Sequence, residues 1–452
     1  MREGLERAGR RTFNVGVISL GCDKNRVNTE KMLYRVRMFG HNIVNDIKLV
    51  DVVIINTCAF LQSSRQEAVE AALEAWRDSG QKPIIMTGCL PQRFIGEFFD
   101  TFTEVCGFLG TGDYDRINEA IEAAARGERF NWVKSCHSQS EEVGRVLTTA
   151  GHYAYLMIAD GCSNRCTYCL IPQIRGKYRS FKMESILREA RQLLEGGARE
   201  LIIVAQDTTR YGVDLYGRYS LVRLLRELSL LEGMPDEGIR LMYCYPELVT
   251  DELIGEIKDN GKIIKYIDIP AQHISDRVLK AMGRPGADRF KGVIQKLRSQ
   301  IPGISIRNTF MVGFPGESEE DFEQLCDFLK EYKLDNVGFF AYSREKGTPA
   351  YNLSGQMHQR TKKRRLDEAN FIQQEVYMEY NAEQVGKALK VTCDGFDGEK
   401  GMYYGRTYRD APLCDKLVYF TAHRELKAGG KYSVLVEKGG VYDLYGRALE
   451  EV

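Results

Sequence analysis

Three cysteines fall close together in Gly161-Cys162-Ser163-Asn164-Arg165-Cys166-Thr167-Tyr168-Cys169. Their spacing, C-x-x-x-C-x-x-C, lets one loop wrap one side of a metal cluster. Thiolates are the usual ligands of iron–sulfur cubanes, which take four. This loop offers three, so one iron is left open to a ligand, as catalytic metal sites keep a free position. A structural zinc loop is the alternative. It needs a fourth ligand, and His152 is the only near candidate.

Three more cysteines share a different pattern. Cys22, Cys58 and Cys89 each follow a predicted strand, at Asn14–Leu20, Asp51–Ile55 and Pro83–Met86. Helical stretches lie between them, near Arg26–Met38 and Ser64–Asp78. Strands alternating with helices predict a doubly wound parallel sheet. Ligands bind beyond the carboxyl ends of such strands. Parallel strands bring those ends to one edge, so the three thiols can converge. One such cysteine alone reads as a core residue, but three in the same position favour a second three-cysteine cluster site. Cys106 and Cys136 lack that placement and read as ordinary cysteines.

The polar stretch Gly127–Gly151 reads as a connection, after which the pattern restarts. Strands are expected at Tyr155–Ile158, Leu201–Ala205, Ile239–Tyr243, Tyr266–Ile269, Ser305–Val312 and Asn336–Phe340. Helical stretches separate them. Six β/α units with right-handed crossovers predict a partial parallel (β/α)6 barrel. The cysteine loop follows its first strand, at the carboxyl-terminal mouth where barrel enzymes keep their chemistry. Gln206-Asp207-Thr208-Thr209, Pro270-Ala271-Gln272-His273, Gly313-Phe314-Pro315-Gly316-Glu317 and Tyr342-Ser343-Arg344 follow later strands at the same mouth. Glu200 opens the second strand, where a solvated charge is the plain alternative. Gln356–Gln384 is a charged helical stretch with a basic start, read as a solvated face linking domains. Five short, glycine-split strands after Asn381 predict a small antiparallel OB-like barrel, a platform for nucleic acid or protein partners. The expected domains are 13–140, 150–380 and 381–452.

Composition narrows the class. Formal charge is zero, with 63 basic and 63 acidic residues, so no global basic bias points to nucleic acid or to a membrane surface. Twelve cysteines without a secretory signal point to reduced thiols or metal ligands in a cytosol. Met1–Arg11 is charged and reads as a mobile arm rather than a signal peptide. No apolar run reaches the length of a membrane span. From Asn381 to Val452 there are 11 Lys/Arg and 11 Asp/Glu, a neutral balance where an RNA-binding barrel would more often be basic.

Residues 13 to 450 resemble the radical S-adenosylmethionine methylthiotransferases. The resemblance rests on Gly21-Cys22-Asp23-Lys24-Asn25, Asn56-Thr57-Cys58, Thr87-Gly88-Cys89, the central cysteine loop, Ile269-Pro270-Ala271-Gln272-His273 and Gly313-Phe314-Pro315-Gly316-Glu317. The tail resembles the family's TRAM domain. Gly405-Arg406 and Asp410-Ala411-Pro412-Leu413-Cys414-Asp415 resemble the branch that modifies an aspartate of the twelfth protein of the small ribosomal subunit. Leu413-Cys414 departs from the acidic-aliphatic pair expected there. The other branches modify transfer-RNA adenosines, which is the alternative activity.

The resemblance implies an auxiliary [4Fe–4S] cluster on Cys22, Cys58 and Cys89, and a radical-generating one on Cys162, Cys166 and Cys169. It implies that an electron entering the second cluster cleaves S-adenosylmethionine. The resulting 5′-deoxyadenosyl radical takes hydrogen from the aspartate β-carbon, sulfur comes from the auxiliary cluster, and a second S-adenosylmethionine gives the methyl group. Position and resemblance together make Tyr168, Glu200, Gln206, Arg307, Gly313 and Gly316 candidates for holding S-adenosylmethionine. Asp410 and Asp415 are expected to grip the basic ribosomal protein. No catalytic residue is expected beyond the cluster ligands. A flavodoxin or ferredoxin is the expected electron donor, RNA contact stays open, and no membrane is involved.

Overall fold

The computed structural model describes residues 11–134, 136 and 144–451. Most of the expected N-terminal arm and part of the expected connection lie outside them. The chain forms two compact bodies. The first holds residues up to 148 together with 160–164 and 169–179. The second holds 149–159, 165–168 and the remainder from 180 onward.

In the first body the strands are β1 (Asn14–Ser19), β2 (Asn42–Ile43), β3 (Val52–Thr57), β4 (Ile84–Gly88), β5 (Val105–Leu109) and β6 (Phe130–Asn131). They pair in the order β2-β1-β3-β4-β5-β6, every pair parallel. Every residue of β3 and β4 is buried, as parallel strands covered on both faces require. Side chains alternate between the faces. Val53, Ile55 and Met86 pack on one side with Ala68, Ala72 and Ala75 of the helix Gln62–Asp78. Val52 and Ile54 pack on the other with Met32, Val36, Ile117 and Ile121. Those residues come from the helices Asp23–Phe39 and Ile117–Ala125, so the sheet is doubly wound.

The second body opens with β7 (Tyr153–Met157), β8 (Glu200–Val204), β9 (Ile239–Leu241), β10 (Ile263–Asp268), β11 (Ser305–Val312) and β12 (Asn336–Ala341). They lie side by side in sequential order, all parallel, with β7 and β12 as open edges. That is the partial barrel expected from the sequence. Helices such as Met183–Glu195, Leu221–Ser229 and Glu319–Tyr332 return the chain between strands.

The tail strands β13 (Ala388–Asp397), β14 (Met402–Arg406), β15 (Val418–Thr421), β16 (Lys431–Gly439) and β17 (Leu444–Glu451) close a small barrel. Val391, Val418, Phe420, Val434 and Val436 fill it. One feature departs from the expected antiparallel barrel: β15 and β17 pair in parallel, and this pair closes it. The helix Gln359–Gln384 also departs from the solvated face expected of it. Lys362 and Arg365, in its basic start, are buried, and Arg365 pairs with Glu317 at 2.7 Å. At its far end Asn381 donates to the carbonyls of Gly440 and Tyr442 in the small barrel, both at 3.0 Å. The helix therefore packs along both parts of this body. Among the described residues no helix is long and apolar enough to cross a membrane.

Candidate functional site

The first body gathers Cys22, Cys58 and Cys89 as the strand pattern requires. They stand just past β1, β3 and β4, three neighbouring strands. Cys22 is exposed, Cys58 half-buried and Cys89 buried. The strand ends are knitted by the residues flanking the thiols. Asn25, fully buried, donates to the carbonyls of Leu20 (3.2 Å) and Thr57 (2.9 Å). Thr57 Oγ1 donates to the Thr87 carbonyl at 2.7 Å and accepts from the Leu90 N–H at 3.2 Å. Two glycines make room. A Cβ on Gly21 would stand 2.7 Å from Cys58 Cβ, and one on Gly88 would stand 2.4 Å from Asn56 Oδ1. Both glycines also hold φ near +90°, at 88° and 97°, where L side chains are disfavoured.

Arg175 supplies the charge at this edge. It is 2% exposed, binds Asn25 Oδ1 and lies 3.8 Å from Cys89 Sγ. Burial pushes the Cys89 thiol up to about 12, with Arg175 pulling the other way. Burial, then the neighbouring Cys22, raises Cys58. A metal must displace these protons to bind. Among the described residues no three His, Cys, Asp or Glu side chains close around a single ion. A cubane does not need that, because each thiolate takes a separate iron. Three thiols around one strand edge, one of them open to solvent, fit a cluster with a free iron. No spacing in the sequence flagged Arg175; only the fold brings it back beside Cys89.

In the central loop, Cys162 and Cys169 belong to the first body and Cys166 to the second. Cys162 Sγ accepts from the Asn164 N–H and Cys169 Sγ from the Ile171 N–H, both at 3.4 Å. In the second body Cys166 Sγ lies 3.9 Å from the Tyr245 hydroxyl.

The candidate cofactor residues divide by the end of the strands on which they stand. Tyr168, in the loop after β7, packs on Met282, Met311, Phe314 and Tyr342. Gln206 follows β8, and Gly313 and Gly316 follow β11. These are mouth positions. A Cβ on Gly313 would stand 2.5 Å from Lys362 Cγ, so the close approach it permits is made by a buried lysine of the chain itself. Gln272 and His273, noticed as a mouth stretch but not assigned a role, carry stronger signs. Gln272 holds φ at +78°, pinned by its N–H to the Thr309 carbonyl (3.0 Å) and by its carbonyl to the Met311 N–H (2.7 Å). Its buried Oε1 has no hydrogen-bond partner. Strain on a non-glycine residue and an unmet acceptor at one mouth position are marks of a binding site. His273 is fully buried, and its Nδ1 accepts from the Ser275 N–H at 3.0 Å. Burial holds its pKa at about 4, so it is a neutral imidazole with the proton on Nε2.

Glu200 and Arg307 stand at the opposite end. Glu200 is the first residue of β8 and Arg307 the third of β11, near the amino-terminal ends of the strands. The structure corrects their assignment to the cofactor. Glu200 receives Arg240 Nε at 2.5 Å and Arg406 Nη1 at 3.0 Å. Burial alone would raise its carboxyl, but the two guanidiniums hold it at about 2. Arg307 binds Asp415 at 3.0 Å and Asp268 at 3.2 Å.

Asp410 and Asp415 are corrected in the same way. Asp410 is 4% exposed and accepts from Thr407 Oγ1 at 2.7 Å. Asp415 Oδ2 accepts from the Tyr266 hydroxyl at 2.7 Å and the Ala411 N–H at 2.8 Å. Neither carboxylate is presented to a partner. Segment 407–416 instead inserts at the foot of the partial barrel. Arg240 donates to the Tyr408 carbonyl (3.0 Å), Ser305 and Asn336 to the Arg409 carbonyl (2.9 and 2.7 Å), and Lys416 to the Asp335 carbonyl (2.6 Å).

Comparison with known proteins follows this division. Residues 14–110 match a family described as uncharacterized protein family UPF0004. Residues 156–329 match the radical SAM superfamily, and residues 385–449 the TRAM domain. The chain is 46% identical over 437 residues to the ribosomal protein uS12 methylthiotransferase RimO of Thermoanaerobacter sp. (strain X514), covering 96% of this chain and 99% of that one. It is 48% identical over 439 residues to the protein of that name from Caldanaerobacter subterraneus subsp. tengcongensis, with the same coverage. Among solved structures it is similar to the radical S-adenosylmethionine methyltransferase TsrM of Kitasatospora setae, solved with cobalamin and a [4Fe-4S] cluster bound. The TM-score is 0.56 at 14% identity, over 75% of this chain and 74% of that one, a likeness of fold alone.

Proposed function

Since the chain belongs to the family of ribosomal protein uS12 methylthiotransferases, we propose that it replaces a hydrogen on the β-carbon of an aspartate of uS12 with a methylthio group. The observation that carries this reading is identity above 40% along nearly the whole chain to relatives named for that reaction. The cofactors are S-adenosylmethionine and two [4Fe–4S] clusters. Cys162, Cys166 and Cys169 hold one, and Cys22, Cys58 and Cys89 hold the other. When bound, they supply one-electron chemistry on S-adenosylmethionine and a sulfur atom, which no side chain here could supply to an unactivated C–H bond.

The chain's own residues position and protect. Asn25 and Thr57 fix the three strand ends that carry the auxiliary thiols. Arg175 places a buried positive charge beside thiolates that become negative on binding iron. Tyr168, Gln206 and Gly316 line the mouth as cofactor contacts, Gly313 gives room there to Lys362, and Gln272 offers S-adenosylmethionine an unmet acceptor. Neutral His273 keeps that turn folded through Ser275 without adding charge. A flavodoxin or ferredoxin supplies the electrons, in a cytoplasm that keeps the twelve free cysteines reduced.

The test is mass spectrometry on a strain lacking the gene. The uS12 protein should lose a methylthio group from one aspartate while transfer RNA keeps its own methylthio adenosines. Loss from transfer RNA, with uS12 unchanged, would assign the chain to the other branch of the chemistry.

A further inference from the structure

A buried cation stands beside the central cysteine loop with no carboxylate in ion-pair contact; Glu247 acts on it only from farther off, after Tyr168, Tyr245 and Cys166. Arg284 is 7% exposed. Its Nη2 donates to the Pro270 carbonyl at 2.6 Å, and its guanidinium lies 4.2 Å from the centroid of the Tyr245 ring. Its Nε is buried without a hydrogen-bond partner. Among the described residues no Asp or Glu lies within ion-pair distance of it. Its Nη1 instead approaches Cys166 Sγ at 4.0 Å.

The placement is built in. Thr167, next to Cys166, donates its N–H to the Met282 carbonyl at 2.9 Å and its hydroxyl to the Ala281 carbonyl at 2.8 Å. These two bonds tie the loop to the end of the helix Asp276–Met282, two residues before Arg284. Burying an unpaired guanidinium is expensive. The cost is offset if the loop carries an anion, and a cubane held by three thiolates is one.

We propose that Arg284 is a positioning residue that sets the reduction potential of the cluster on Cys162, Cys166 and Cys169, through its charge beside Cys166. The inference rests on the cluster assignment made above. Reduction adds one electron, from a low-potential one-electron donor, to a centre that is already negative. A nearby cation stabilises the reduced form more than the oxidised one. Net charge and hydrogen bonds to the sulfurs are what set such potentials. Arg284 therefore makes the cluster easier to reduce.

The test uses the full chain, reconstituted anaerobically with iron and sulfide, in a Cys22→Ala/Cys58→Ala/Cys89→Ala background so that one cluster is read. The midpoint potential is measured by EPR-monitored titration for Arg284 and for Arg284→Gln, Arg284→Met and Arg284→Lys. The methionine variant removes the cost of burying a charge and guards against a glutamine chain that fails to fold. Both neutral variants should cut the reduced-to-oxidised ratio at fixed potential at least tenfold, a fall of about 59 mV for one electron. Lysine should restore most of it. Unchanged potentials in the neutral variants, or a lysine variant shifted as far as they are, would overturn the proposal. If the background chain with Arg284 intact holds no cluster, the ligand assignment itself has failed.

Discussion

Gly88 shows how narrowly the auxiliary thiols are set. Its φ of 97° and ψ of −146° belong to a region that only glycine occupies comfortably. A methyl group there meets Asn56 Oδ1 and the Thr57 carbonyl, at 2.4 and 2.7 Å. Gly88→Ala should cost the first body more than about 2 kcal/mol from strain and displaced contacts. Urea unfolding should show this, and iron bound after reconstitution should fall. An alanine chain with the wild-type midpoint and iron content would remove the strand-end packing from the account. Glu200 sets a second test at this scale, through pH. Its carboxyl titrates at about 2 in the folded protein, below the roughly 4.3 of a free glutamate. A depressed pKa gives stability that is present above the unfolded value and lost as pH falls through the folded one. Wild type should therefore lose stability relative to Glu200→Gln between about pH 4.5 and 2. At neutral pH the glutamine chain should be less stable by about 3 kcal/mol, because Arg240 stays buried without its anion and Arg406 keeps only Asp394. Parallel stability-versus-pH curves for the two chains would contradict the assignment.

Segment 407–416 is the element whose role changes most between sequence and structure. Asp-Ala-Pro beside a basic partner reads as a gripping loop, yet the segment is an anchor. It joins the small barrel to the foot of β9, β10, β11 and β12 through Arg240, Tyr266, Arg307 and Asn336. Asp415→Ala should leave Tyr266 without its acceptor and Arg307 with Asp268 alone, and cost about 2–3 kcal/mol. Hydrogen exchange should then show the small barrel opening at lower denaturant than the β7–β12 sheet, whereas in wild type the two open together. Unaltered exchange would mean that the anchor bears no weight. The sequence shows the elements well and the partners poorly, for a physical reason. Ser305–Val312 is found with the expected bounds, and the five glycine-split tail strands are all present, because hydrophobic period and glycine punctuation are local signals. For Glu200 and Arg307 the strand pattern itself holds the answer, since they stand first and third in their strands. A residue that opens a parallel strand lies at the end away from the mouth. Burial of Asp410 and Asp415, and the reach of Arg175 and Arg284, depend on contacts between residues distant in sequence, which no spacing records.

On the scale of the whole molecule, the two cysteine sites are expected to load separately. Reconstituted protein should hold about eight irons, four per cubane, and Cys162→Ala/Cys166→Ala/Cys169→Ala should keep about half. Loss of all iron from that variant would refute independent sites. The measurement that bears most directly on the central claim is a single anaerobic reaction. Purified chain carrying both clusters is mixed with S-adenosylmethionine, a low-potential reductant, and small ribosomal subunits, with unmodified transfer RNA in the same tube. Mass spectrometry of both acceptors should find the methylthio group on one aspartate of uS12 and none on transfer RNA. The Cys22→Ala/Cys58→Ala/Cys89→Ala chain should cleave S-adenosylmethionine yet give no methylthio product. A methylthio group on adenosine with uS12 untouched, or normal product from the triple variant, would contradict the account.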